Sequence, residues 1–245
     1  NDGAELLAVA GGDGSVAAVA GVAVERSLPL VVVPTGTLNH FARDLKIPLD
    51  LERAARVCLE GREARVDVGD VNGRVFLNNS SLGLYPSIVR YREKQQQRLG
   101  RGKWPAFLWA TLAMLKRYPF LNIRLSTDDQ RLIRRTPFVF IGNNEYQMES
   151  FNIGGRSCLD KGELSLYVAH RTGRLGLLRL AWRALFGGLR DEKDFDAMCT
   201  KEIWVETRRP KRLRVATDGE VTVMTTPLHY RTRPGALRVL VPKES

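Results

Sequence analysis

The sequence predicts an α/β domain followed by a mainly β domain, and three observations lead there. Residues 6–10, LLAVA, and 30–33, LVVV, are short continuous apolar runs bounded by Gly or Pro, the pattern of strands covered on both faces. The alanine-rich stretch between them carries apolar residues near helical spacing, which makes a strand-helix-strand unit in under 30 residues. After about residue 62 the texture changes to alternating apolar positions separated by turn signals, as in antiparallel sheet.

The elements follow in order. A first helix begins near Ser15, after Gly11, Gly12, Asp13 and Gly14. TLNHFARDLKI (37–47) and DLERAARVCLEG (50–61) read as two more helices, the second opened by Asp50 as N-cap and closed by Gly61. Alternation in 65–83 around Asn72-Gly73 is a strong two-residue hairpin signal. A second hairpin pattern surrounds Asp128-Asp129, and GELSLYVAH, EIWVE, RLRVATDGEVTVM and ALRVLVP supply further strands. Helical segments interrupt this half at roughly 86–116 and 173–188. There is no internal repeat and no low-complexity tract.

Composition bounds the function. The 245 residues are 44% hydrophobic and 27% charged, ordinary for a globular protein and opposed to wholesale disorder. No apolar run is long enough to span a bilayer. Lys+Arg 38 against Asp+Glu 27 gives +11, which draws the protein to anionic surfaces: phospholipid, nucleic acid or phosphorylated ligands. No nucleic-acid motif accompanies the charge. Cys58, Cys158 and Cys199 lack C-x-x-C spacing, which fits a reducing compartment and small buried side chains.

Two loops carry candidate chemistry. Gly11, Gly12 and Gly14 allow the turn after the first strand to bring several N–H groups close to a ligand, with a helix N-terminus at the same place. The spacing meets neither the P-loop nor the full dinucleotide fingerprint. A tight βα turn capped by Asp13 accounts for it equally well. The second strand also ends in a small and polar turn, where Thr35, Thr37 and Asn39 can hydrogen-bond phosphate or ribose, or merely cap the next helix. Neighbouring parallel strands present such loops on one side of the sheet, where ligands of open α/β sheets bind.

GGDGS (11–15), PTGTLNHFARDL (34–45) and, far downstream, TDGEV (217–221) together resemble the diacylglycerol kinase catalytic-domain family, in particular the bacterial YegS-like lipid kinases, relatives of sphingosine and NAD kinases. The likeness covers essentially the whole chain in motif order. It implies an α/β nucleotide domain over 1–62, with 231–245 packing back on it, a β-sandwich over 63–230, and a cleft between. It also implies ATP held by Gly11, Gly12, Asp13, Gly14, Ser15, Gly36 and Thr37, with Thr35 and Asn39 of the same loop as further candidate contacts and magnesium accompanying the nucleotide. Glu220 matches the family's catalytic base, and Asp218 stands beside it as an accessory acid. The expected reaction moves the γ-phosphoryl group of ATP to a hydroxyl of diacylglycerol or a related lipid, in the cytoplasm at the inner face of an anionic membrane. A soluble acceptor as in NAD kinase, a non-catalytic module binding nucleotide or anionic lipid, and homo-oligomerisation stay open.

Departures from the pattern are informative. The family's structural magnesium site uses an acid just before a glycine, where this chain has Lys161 in SCLDKGELSLYV. An ammonium offers no lone pair to a cation; Asp160 would serve only if the loop shifted. His40 stands where an acid is common, and Ser15 replaces the usual threonine. The family places another βα unit or two before the first glycine loop, so the nucleotide domain is expected to be truncated, leaving a sheet edge that needs cover. Residues 172–190, and more weakly 103–120, place apolar residues at helical spacing among basic ones. That suits a helix on an anionic membrane or one packed on the sandwich. The run 208–214, RRPKRLR, reads as a solvated turn and strand start.

Overall fold

A computed structural model describes residues 3–83, 120–128, 130–144, 159–169 and 195–243. The chain opens as the apolar runs require. Strand β1 (Leu7–Gly11) leads into helix α1 (Asp13–Arg26) and returns as β2 (Leu30–Pro34), parallel to β1 with Leu7 opposite Leu30 and Gly11 opposite Pro34. Helix α1 buries Val16, Ala20, Ala23 and Val24, a spacing that puts all four on one stripe. It begins two residues earlier than its sequence suggests.

Helix α2 is shorter than the pattern predicts, His40–Asp44, because Asn39 lies at φ 50 and breaks the helical run before it. Helix α3 (Leu51–Glu60) is capped by the Asp50 carboxylate, which accepts from the Arg53 N–H at 2.9 Å. Gly61 closes that helix without entering the left-handed region, having φ −65. Its lack of a side chain matters for space instead: a Cβ there would lie 2.4 Å from the Val57 carbonyl oxygen and 2.8 Å from that of Val241.

The remaining strands are β3 (Arg62–Val71), β4 (Arg74–Phe76), β5 (Asn79–Gly83), β6 (Leu121–Ser126), β7 (Arg131–Thr136), β8 (Phe138–Asn143), β9 (Leu164–Ala169), β10 (Phe195–Thr200), β11 (Glu202–Thr207), β12 (Arg212–Thr217), β13 (Glu220–Thr225) and β14 (Leu228–Val241). The hairpin read from Asn72-Gly73 forms between β3 and β4, both turn residues having positive φ (50 and 86). The second hairpin forms between β6 and β7, Ser126 opposite Arg131. The helical segments expected at 86–116 and 173–188 lie outside the described residues.

Two sheets result. One runs β1-β2-β14-β11-β6-β7, with β3 on the other edge of β14 and β4 beyond it; the other runs β10-β9-β8-β5-β12-β13. Between them lies the sandwich core, including Phe76, Leu82, Ile141, Leu166, Ile203, Val215 and Tyr230. The Tyr230 hydroxyl meets Ser80 Oγ at 3.1 Å, and burial pushes its phenol above the ordinary range. A second core joins α1, α2 and β2 to the C-terminal half of β14 through Val9, Ala20, Leu30, Phe41, Leu237 and Val239. Strand β14 belongs to both, pairing with β11 through Leu228–Arg231 and with β2 at Val239. Its pairing with β3 shifts register between Arg233 and Leu237. The buried Asp67 carboxylate sits at that irregularity, accepting from the Gly235 N–H at 2.7 Å and the Gly162 N–H at 2.6 Å. No helix among the described residues is long and apolar enough to cross a membrane.

Candidate active site

The parallel pairing of β1 and β2 brings their carboxyl ends together, and the two loops that follow touch. The Thr35 N–H donates to the Gly11 carbonyl at 3.1 Å. A Cβ on Gly36 would stand 2.4 Å from Gly12 Cα, so the backbones cross at a separation only glycine permits. Asn39, buried, clasps its own loop: its Oδ1 accepts from the Gly36 N–H at 3.0 Å and its Nδ2 donates to the Gly36 carbonyl at 2.8 Å. Asp13 does not cap its own helix, whose N-cap is Gly12 without a side-chain bond. It accepts instead from the Phe41 N–H of α2 at 3.2 Å and so ties the first loop to the second. Ser15, Thr35 and Thr37 are exposed beside these loops. The first-turn N–H groups of α1 have no partner within their helix and carry its positive dipole end.

The third motif arrives from 200 residues away. Asp218 and Gly219 occupy a tight turn at φ 47 and 86 between β12 and β13, Thr217 pairing with Glu220. That turn aims Glu220 at the start of α1: a Cβ on Gly14 would lie 3.4 Å from Glu220 Oε1. The other oxygen, Oε2, accepts from Arg74 Nη2 at 2.7 Å. The Glu220 side chain is 53% exposed, accessible to a reacting partner. Asp218 is engaged differently, its two oxygens accepting the N–H groups of Leu77, Asn78 and Asn79 at 2.7, 2.8 and 3.1 Å. It fixes the β4–β5 turn against the turn that carries Glu220.

Arg74 was not legible as a site residue. It follows the Asn72-Gly73 turn as one more strand residue, and its partner lies 146 residues away. Along α1 and this hairpin runs a groove of about 750 Å³, bordered by Ala17, Gly21, Arg74, Arg233, Asp218 and Glu220 among others. Lys161 is exposed on the loop before β9, where its backbone N–H donates to Asn144 Oδ1 at 3.1 Å. No group of three or more His, Cys, Asp or Glu side chains among the described residues is placed to hold a metal ion. With a lysine at the expected acid and no cluster of metal-ligating side chains among the described residues, the side chains described here do not fit the structural magnesium ion that the resemblance implies.

Comparison with known proteins agrees with this fold. Residues 1–71 match the diacylglycerol kinase catalytic domain, and residues 88–241 match the YegS C-terminal NAD kinase β-sandwich-like domain. The chain belongs to the YegS-like diacylglycerol kinase family. A diacylglycerol kinase of Staphylococcus carnosus is 34% identical over 128 residues, covering 51% of this chain and 41% of that protein. A Pseudomonas savastanoi protein described as a "probable lipid kinase YegS-like" is 26% identical over 242 residues, 98% of this chain and 76% of its own length. A crystal structure of a Bacillus anthracis diacylglycerol kinase matches with TM-score 0.66 at 23% identity, over 97% of this chain and 76% of that one. A second structure from the same organism gives 0.70 at 26% identity, over 97% and 78%. The family's α/β and β-sandwich architecture is therefore the architecture of this chain.

Proposed function

We propose that the chain is the catalytic part of an ATP-dependent lipid kinase, with Glu220 as general base. The observation that carries the reading is the approach of Glu220 to Gly14. A carboxylate from the second half of the chain stands at the N-terminal turn of the helix that opens from the first glycine loop. Phosphoryl transfer asks a protein to hold the phosphates, offset their charge and receive the acceptor's proton. The two glycine loops and the start of α1 supply N–H groups for the first task. Thr35, Thr37 and Ser15 add hydroxyls at the rim of the same loops.

In the proposed reaction the acceptor hydroxyl oxygen attacks the γ-phosphorus, the bond from that phosphorus to the β,γ-bridging oxygen breaks, ADP leaves, and Glu220 takes the hydroxyl proton. Arg74 holds one oxygen of that carboxylate, leaving Oε1 as the proton acceptor. Magnesium enters with ATP as part of the substrate, offsetting phosphate charge. Asp13 and Asn39 keep the loops in register, and Asp218 keeps Glu220 aimed. The excess of basic residues, +11 overall, favours work at an anionic membrane surface. The family of the chain and its relatives' names support a lipid acceptor.

The test is transfer from γ-³²P-ATP to a panel of lipids and to NAD, comparing wild type with Glu220→Gln. Loss of a general base should lower kcat on the order of 10²–10⁴-fold with the fold intact. Full activity of Glu220→Gln would refute its role as base, and transfer to NAD alone would refute the lipid assignment.

A further inference from the structure

Glu220 borders two different places. On one side are the glycine loops; on the other is the groove along α1, which Glu220 lines but no residue of 11–15 or 35–39 does. We infer that this groove is the acceptor channel, in which an amphiphilic alcohol lies with its hydroxyl at Glu220 and its hydrocarbon tail along α1. The inference rests on the kinase reading of Glu220 and assigns the side from which the second substrate approaches.

The stretch of the floor nearest Glu220 is apolar. Ala18, Gly21 and Val22 lie beside the buried stripe of α1, with Ala17 half-buried against the core at its edge, and Val22 is 42% exposed. Gly21 is the telling residue. A glycine inside a helix weakens it relative to alanine, yet a Cβ built on Gly21 would meet nothing within 4 Å. Packing therefore does not demand glycine there, and its effect is to keep the floor low. From Ala17 to Glu25 the lining stretch of the helix runs about 12 Å, room for a short extended chain.

The opposite wall is polar and cationic. Arg74 gives one N–H to Glu220, and a guanidinium has five. Arg233 lines the same wall, and its guanidinium has no ion-pair partner among the described residues. Two such forks complement oxygens beside the reacting hydroxyl, as in the ester groups of a glyceride, while the helix side offers methyl groups and backbone from Ala17 to Val22 and turns polar only at its far end, at Glu25 and Ser27. A volume of about 750 Å³ suits one such molecule.

Binding and transfer separate this inference from the reading beneath it. The probe is an NBD-labelled diacylglycerol in detergent micelles, followed by fluorescence anisotropy, with TNP-ATP as the nucleotide probe and circular dichroism melts to check folding. Gly21→Leu and Ala18→Leu, which fill the floor from two positions, should each weaken the lipid probe tenfold or more and leave TNP-ATP affinity unchanged. Gly21→Ala should bind both probes as wild type does. Arg233→Gln should weaken the diacylglycerol probe more than an NBD-labelled long-chain alcohol without ester oxygens. The inference is overturned if wild type fails to bind the lipid probe, or if both leucine variants fold and bind it normally. Unchanged transfer by Glu220→Gln would count against the general base alone, since the binding results do not depend on it.

Discussion

Replacing Gly36 with alanine should separate the two glycine loops and cost both stability and nucleotide affinity. The added Cβ would stand 2.4 Å from Gly12 Cα, 2.7 Å from Asn39 Oδ1 and 3.2 Å from the Gly12 nitrogen. Carbon pairs rest at about 3.5–4.0 Å, so the loops must part by roughly 1 Å, and two of the three obstacles are backbone that cannot swing aside. The displacement breaks the Asn39 clasp on Gly36, two hydrogen bonds of about 1 kcal/mol net each, and adds about 1–3 kcal/mol of overpacking strain. Relief through movement makes these costs overlap, and a loss of about 2–4 kcal/mol in a urea melt is expected. TNP-ATP affinity should fall at least tenfold, since a phosphate cradle displaced by about 1 Å loses its alignment. Gly12→Ala is the internal comparison: its Cβ would meet only Gly36 Cα, at 3.2 Å. It should cost clearly less. If Gly36→Ala melts and binds nucleotide as wild type does, or if Gly12→Ala is the more damaging, the argument from loop contact is wrong.

Two further outcomes follow from single groups. Asp218→Asn keeps the shape but turns an amide toward three N–H donors, leaving at least one of them facing another donor. It should destabilise by about 2–3 kcal/mol in chemical denaturation and lower turnover by misaiming Glu220; unchanged stability would refute the bracing role. The fork between Arg238 and Glu63 joins β14 to β3 with bonds of 2.6 and 2.7 Å, and the Arg238 hydrogen bonds hold the Glu63 carboxyl below its ordinary 4.5. A lowered carboxylate contributes stability above that ordinary value and loses it as pH falls through the lowered one. Glu63→Gln should therefore flatten the acid limb of the stability curve slightly and leave the curve above pH 6 parallel to wild type.

Much of the fold was legible because its signals were local. Asn72-Gly73 announces a turn needing two positive φ values, and both are present. Asp50 reads as an N-cap, and its carboxylate bonds Arg53 three residues on. Gly61 was legible as a helix end for the wrong reason, since the Val241 carbonyl that excludes a side chain there lies 180 positions downstream. The site divides the same way. The glycine loops show in the sequence as breaks in apolar runs, but their crossing at Gly12 and Gly36 does not. Asp13 reads as a capping residue of its own helix, whereas its bond reaches 28 residues ahead to Phe41. Arg74 carries no local mark at all, and only the partnership of two distant hairpins gives it a role.

Strand β14 follows every other described strand in chain order, yet it lies inside the sheet that unites the two cores. On the ribosome, β1 and β2 emerge early with one side of β2 unpaired, and β3 and β11 each wait for the same late partner. Neither core is complete until residues 228–241 have been made. Closure of both cores therefore waits for a late, non-local pairing, the kind that folds slowly and leaves apolar surface exposed to aggregation in the meantime. A stop codon ahead of Leu228 should accordingly leave not a smaller folded domain but insoluble protein.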